Sequence, residues 1–177
     1  MEIIKKHRTV SLFLLLVIPI VFWACAEDED TVEMQPIVEL LAPEFCDTIW
    51  FDEPFTFRIR VIDPGKKGLG TLSFDTHHNF NHHSHGAHTS CEMDPEKDAV
   101  HPFEEVWIHN LPDDETEFVF EKEITIPSDA GEGIYHDYGD YHFHIYVTNQ
   151  EGYQTFTTLD YKLLYRNGDP DAKKDNS

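Results

Sequence analysis

Six of the chain's twelve histidines fall within the twelve residues from His77 to His88. Imidazole carries a nitrogen lone pair at neutral pH and suits zinc, copper and nickel alike. A run this dense is not needed for solubility in a chain with 34 acidic against 13 basic residues and a net charge of −21. Neutral imidazoles are poor core formers as well, so the chemistry such a loop offers is metal ligation. His77, His82, His83, His85 and His88 are its candidate ligands, joined by His142 and His144 at alternate positions further along. Zinc, which normally takes four nitrogen or sulfur ligands, is the expected ion, with copper or nickel as alternatives. The acidic surface repels phosphate backbones and excludes nucleic acid, while it concentrates cations. Histidine then favours borderline metals over calcium and magnesium, which prefer oxygen.

These residues need a frame, and the sequence around them reads as strands. Phe55, Phe57, Ile59 and Val61 alternate with polar residues, as in a half-buried strand, and Asp63-Pro64-Gly65 ends the run with turn chemistry. Similar patterns occur at Ile37–Leu41, Leu72–Phe74, Val106–Ile108, Phe118–Ile126, Tyr141–Val147 and Leu159–Tyr165. About seven strands, without helical periodicity apart from a possible helical turn near Ser128–Gly133, predict an all-β, immunoglobulin/cadherin-like antiparallel β-sandwich over residues 36–166. With Leu72 and Phe74 facing the core, Asp75 and His77 face away; with Phe143 and Ile145 inward, His142 and His144 face away too. Should the two strands be neighbours, His77 would lie opposite His142 or His144, with Cβ atoms about 4.5–5.5 Å apart. The loop 77–91 could then fold back over that face. His101, His109 and His136 read as bystanders, with His136, Asp137 and Asp140 as a weaker second site.

Residues 1–24 join a basic head (Lys5, Lys6, Arg8) to an apolar run from Val10 to Ala24, followed by Cys25. The run falls short of the roughly 20 residues a spanning helix needs and reads as a secretory signal. Cys25 at the cleavage point resembles the lipidated cysteine of bacterial lipoproteins, although Phe22 and Trp23 are bulkier than that motif usually carries. The acidic residues Glu27 to Asp30 open a tether, residues 25–35, and look like the surface-export signal of Bacteroidota lipoproteins. The expected location is the outer membrane, lipid-anchored and exposed at the cell surface. Removal of lipidated Cys25 from the count leaves Cys46 and Cys91, an even pair in a compartment that permits disulfides. A Cys46–Cys91 bridge is expected; the competing reading makes Cys91 a thiolate metal ligand. The polar tail, residues 167–177, is expected to be disordered.

The stretch Gly68-Leu69-Gly70 through Thr76-His77-His78-Asn79-Phe80-Asn81-His82-His83-Ser84-His85 resembles a family of Bacteroidota cell-envelope lipoproteins, domain of unknown function 4625. So do Gly139-Asp140-Tyr141-His142-Phe143 and the turn Asn149-Gln150-Glu151-Gly152. The resemblance covers roughly Pro36 to Arg166 and implies an immunoglobulin-like fold in the cell envelope. It supplies no mechanism.

Catalytic patterns are absent. His83-Ser84-His85-Gly86-Ala87-His88 places Ala87 where the metallo-β-lactamase motif needs Asp. His142-Phe143-His144 shares the His-x-His of copper–zinc superoxide dismutase without its bridging histidine or glycine-rich loops. No His-Glu-x-x-His or Gly-x-Ser-x-Gly occurs, so an enzyme is not expected and no catalytic residue is assigned. The reading is metal capture or buffering, with a transition-metal ion, the membrane and an outer-membrane receptor as partners. The alternative is an adhesion or glycan-binding module, with Trp50 and Trp107 meeting the ligand and the histidines holding only a structural metal.

Overall fold

A computed structural model describes residues 34–83 and 91–168, all within one compact unit, Val32–Ser177. The expected signal sequence, Cys25, the first part of the expected tether, His85, His88 and the last nine residues lie outside the described residues.

Ten strands run in chain order: β1 (Ile37–Ala42), β2 (Thr48–Trp50), β3 (Pro54–Ile62), β4 (Leu69–His78), β5 (Glu105–Asn110), β6 (Glu117–Thr125), β7 (Asp129–Gly131), β8 (Ile134–Tyr135), β9 (Gly139–Asn149) and β10 (Gln154–Leu164). They form a three-stranded sheet, β1-β3-β6, a five-stranded sheet, β2-β10-β9-β4-β5, and the small β7-β8 hairpin. The all-β sandwich follows from the period-two patterning: Phe57, Ile59 and Val61 of β3 are fully buried, as are Leu72 and Phe74 of β4 and Phe143, Ile145 and Val147 of β9. Phe57 stacks on Phe74 with ring centroids 4.1 Å apart and meets Phe143 edge-on at 5.4 Å, which joins the two sheets through aromatic contact.

The strand count departs from the seven expected because β2, β7 and β8 have only three, three and two residues. Segments that short carry no measurable periodicity. The segment expected as a possible helical turn, Ser128–Gly133, instead enters the β7-β8 hairpin, because Gly131 and Gly133 take φ of 103° and 76°, which no right-handed helical turn contains. The sheets are also not wholly antiparallel, since β2 pairs parallel with β10. After β1 the chain crosses to the other sheet without a paired hairpin, so it meets the last strand running the same way.

That crossing carries Cys46, which is bonded to Cys91 with an S–S distance of 2.06 Å. Cys91 is therefore committed to a disulfide, and the thiolate-ligand reading is set aside. The bridge closes 45 residues and contributes about 4 kcal/mol in the chain-entropy account. It also fixes the far end of the histidine loop beside β10, because the Cys46 amide donates to the Asp160 carbonyl at 2.9 Å.

The opposite pole is held by Asp63, which is 1% exposed. Its carboxylate accepts from the Lys67 and Gly68 amides at 2.7 and 3.0 Å and from the Asn149 side chain at 3.0 Å. Asn149 in turn donates to the Met34 carbonyl and accepts from the Tyr153 amide. Burial alone would raise the Asp63 pKa, but these hydrogen bonds, with one from the Gly65 amide, outweigh it and hold the carboxyl below its ordinary value. A carboxyl depressed in the folded state adds stability above the unfolded value of about 3.9, and that contribution is lost as pH falls through the lower folded value. Urea unfolding should therefore show an Asp63-dependent loss of stability only below about pH 4. Asp63→Asn should cost about 1–3 kcal/mol at pH 7 and flatten that acid limb. An unchanged acid limb in the variant would contradict this assignment.

Candidate metal centre

The candidate centre lies at one end of the five-stranded sheet, on the face turned away from the core. Antiparallel pairing of β4 with β9 sets His77 directly opposite His142 and Asp75 opposite His144. Pairing of β9 with β10 adds Asp160 opposite His142. One row across three strands thus reads His77, His142, Asp160, and the row beside it reads Asp75, His144, Thr158.

The rings pack as this register requires. His77 and His142 lie nearly parallel, with centroids 5.3 Å apart and planes 11° from each other. His83 stands almost perpendicular to both, at 5.1 and 5.2 Å. His77, His83 and His142 each offer a ligand nitrogen, and these three nitrogens lie within 4.8 Å of one another. Tetrahedral coordination with Zn–N bonds near 2.0–2.1 Å needs nitrogens about 3.3 Å apart, so the group must contract by no more than about 1.5 Å. His142 is 2% exposed despite facing away from the core, because the neighbouring imidazoles cover it.

His83 reaches the group through an ordered turn. His82 adopts φ of 53°, its amide donates to the Asn79 carbonyl at 3.2 Å, and the His83 Nδ1–H donates to Asn81 Oδ1. With Nδ1 protonated, Nε2 is the ring nitrogen of His83 that carries the lone pair. The turn is clamped from the far side by the segment after Cys91. Asp94 receives Lys162 Nζ at 2.8 Å, Lys162 also meets Asp140 at 2.6 Å, and the Asp94 amide donates to Asp140 at 2.8 Å. The Asp75 and Asp160 carboxylates flank His144 and His142, a setting that favours a cation.

The structure does not bring every candidate together. His82 turns away: its Nε2–H donates to the Asp94 carbonyl at 2.9 Å and its Nδ1 faces Glu96 at 3.7 Å. His144 stacks on His142 at 4.5 Å but stands outside the convergent three. His85 and His88 fall outside the described residues. The weaker site expected at His136, Asp137 and Asp140 is not assembled. Asp137 caps the Val100 and His101 amides at 2.6 and 2.7 Å, His136 donates to the His101 carbonyl at 3.2 Å, and Asp140 binds Lys162. His109 sits on the inner side of β5, 4.7 Å from Phe120, and burial lowers its pKa. His78 packs against Phe80 at 4.9 Å and is lowered by burial first and by the adjacent His77 second.

Asp160 and Asn81 were missed from sequence. Asp160 becomes relevant only once the register across β9 and β10 is known, and Asn81 only once the turn is folded.

A β-sandwich with three convergent imidazoles at one sheet end defines the class. The chain belongs to the family described as domain of unknown function (DUF4625), whose profile matches residues 23–164. No curated protein matches it.

The two neighbouring loop histidines make contrary predictions. His83→Ala should weaken zinc binding about tenfold or more, whereas His82→Ala should change it less than about threefold. Equal losses in calorimetric titration would contradict the geometric distinction between them.

Proposed function

We propose that this domain captures or buffers a transition-metal ion, zinc ahead of copper or nickel. The observation that carries the reading is the convergence of His77, His83 and His142 from two adjacent strands and one clamped turn. Strand histidines are held before the ion arrives, so little conformational freedom is lost on binding, and the loop ligand closes the group. All-imidazole ligation selects against calcium and magnesium, and the surrounding carboxylates raise the local cation concentration.

In this reading the mature chain is anchored by lipid at Cys25 and displayed on the outer membrane of a Bacteroidota cell. The acidic residues from Glu27 hold the domain away from the lipid, and an outer-membrane receptor takes the ion onward. No catalytic role is assigned, because the histidines offer redundant capture rather than a nucleophile or general base placed against a substrate pocket.

The adhesion alternative is weakened by its own key residues. Trp107 points inward and stacks on Phe74 at 5.0 Å, and Trp50 lies beneath the Arg166 guanidinium at 4.3 Å. One face of each ring is therefore already covered.

Calorimetric titration of the mature, unlipidated chain should show zinc binding that excess calcium or magnesium does not displace. His77→Ala and His142→Ala should each weaken it by at least about tenfold while leaving the β-type circular dichroism intact. A parent chain that takes up no zinc at micromolar concentration would overturn the reading.

A further inference from the structure

The two outward histidines of β9 each face a carboxylate, and they do so from opposite sides. Asp160 reaches His142 from β10, while Asp75 reaches His144 from β4. In both pairs the nitrogen nearest the carboxylate is Nδ1: Asp75 Oδ1 lies 3.3 Å from His144 Nδ1, and Asp160 Oδ1 lies 3.9 Å from His142 Nδ1. The other ring nitrogen, Nε2, is shut off from solvent in both histidines. His144 is also as close to His77 as His142 is, with ring centroids 5.3 Å apart in each case.

An imidazole whose Nδ1–H is held by a carboxylate has its tautomer fixed, its plane oriented and its Nε2 made a stronger donor to a metal. The spacing of the Asp75 pair already allows a hydrogen bond. The Asp160 pair needs a closure of several tenths of an ångström, the kind of adjustment that accompanies contraction of the site around an ion.

We propose that Asp160 and Asp75 are positioning residues for the metal centre, orienting His142 and His144 so that both Nε2 atoms face one ion and His144 serves as its fourth ligand. This inference rests on the metal-binding reading and names what completes it. With His77, His83, His142 and His144 the site has four imidazoles, the number zinc takes. Three come from rigid strands and one from the turn. The flanking carboxylates stay off the metal, and their negative charge offsets the ion that four neutral ligands leave uncompensated.

Two readouts test it on the mature chain. In the metal-free protein, long-range proton–nitrogen correlation spectra should show His142 and His144 protonated at Nδ1. Asp160→Ala should redistribute the tautomers of His142 alone, and Asp75→Ala those of His144 alone. In zinc titrations, each alanine variant should bind about 10- to 100-fold more weakly. Asp160→Asn and Asp75→Asn, whose amide oxygens still accept the N–H bond, should recover most of that loss. Unfolding midpoints of the asparagine variants keep the comparison valid if an alanine variant folds poorly. A parent that binds zinc with either histidine protonated at Nε2, or alanine variants that bind like the parent, would overturn the inference while leaving metal binding standing. A parent that binds no zinc would overturn both.

Discussion

The antiparallel register between β4 and β9 sets His77 against His142, and a slip of either strand by one residue would leave the two rings on different faces of the sheet. What holds that register is the core beneath it. Leu72, Phe74 and Thr76 point inward from β4, and Phe143, Ile145 and Val147 point inward from β9, all of them at 2% exposure or less. A slip of β4 would exchange its inward side chains for Asp75 and His77, and a slip of β9 would exchange its own for His142 and His144, which no apolar interior accepts without partners. The outer-face chemistry is thus protected by the hydrophobic cost of the alternative pairing.

A second constraint acts on the loop. His83 belongs to a connection rather than to a strand, yet it stands against His77 and His142 because its turn is held at several points. The Cys46–Cys91 bond closes the far end of the connection, and the Lys162 ammonium joins Asp94 and Asp140 across it. Lys97 adds to the clamp: its amide donates to the Phe80 carbonyl at 3.0 Å, and its ammonium lies over the Phe80 and Tyr138 rings. The result divides the labour within the centre. The strands carry His77, His142 and His144, and the clamped turn holds His83 against the first two.

The long strands were legible where large apolar residues alternate with polar ones, as in β3 and β9; in β5 the strand was legible but its face was not, since Val106 and Ile108 are exposed and Trp107 and His109 pack inward. The same alternation placed Asp75, His77, His142 and His144 on the outer face, since their inward neighbours are large and apolar. Pairing was less legible. Opposition of His77 to a β9 histidine could be expected from the sandwich architecture, but the choice of His142 over His144 depends on the register, which no local pattern encodes. Asp160 is the sharpest case, being separated from His142 by a turn and becoming its neighbour only through the β9-β10 ladder. The distinction between His82 and His83 was equally hidden, because it comes from the positive φ at His82 and from Asp94, a residue beyond the loop. The three shortest strands left no trace in the sequence because two or three residues cannot establish a period.

The central claim is that the ion sits among imidazoles from β4, β9 and the clamped turn. X-ray absorption at the zinc edge of the zinc-loaded mature chain tests this most directly. The account predicts a shell of three to four nitrogen scatterers near 2.0 Å, with the outer-shell pattern of imidazole rings and no sulfur contribution near 2.3 Å. In His77→Ala the imidazole signal should diminish. A sulfur shell, or an oxygen-dominated shell without imidazole scattering, would place the ion elsewhere and contradict the account.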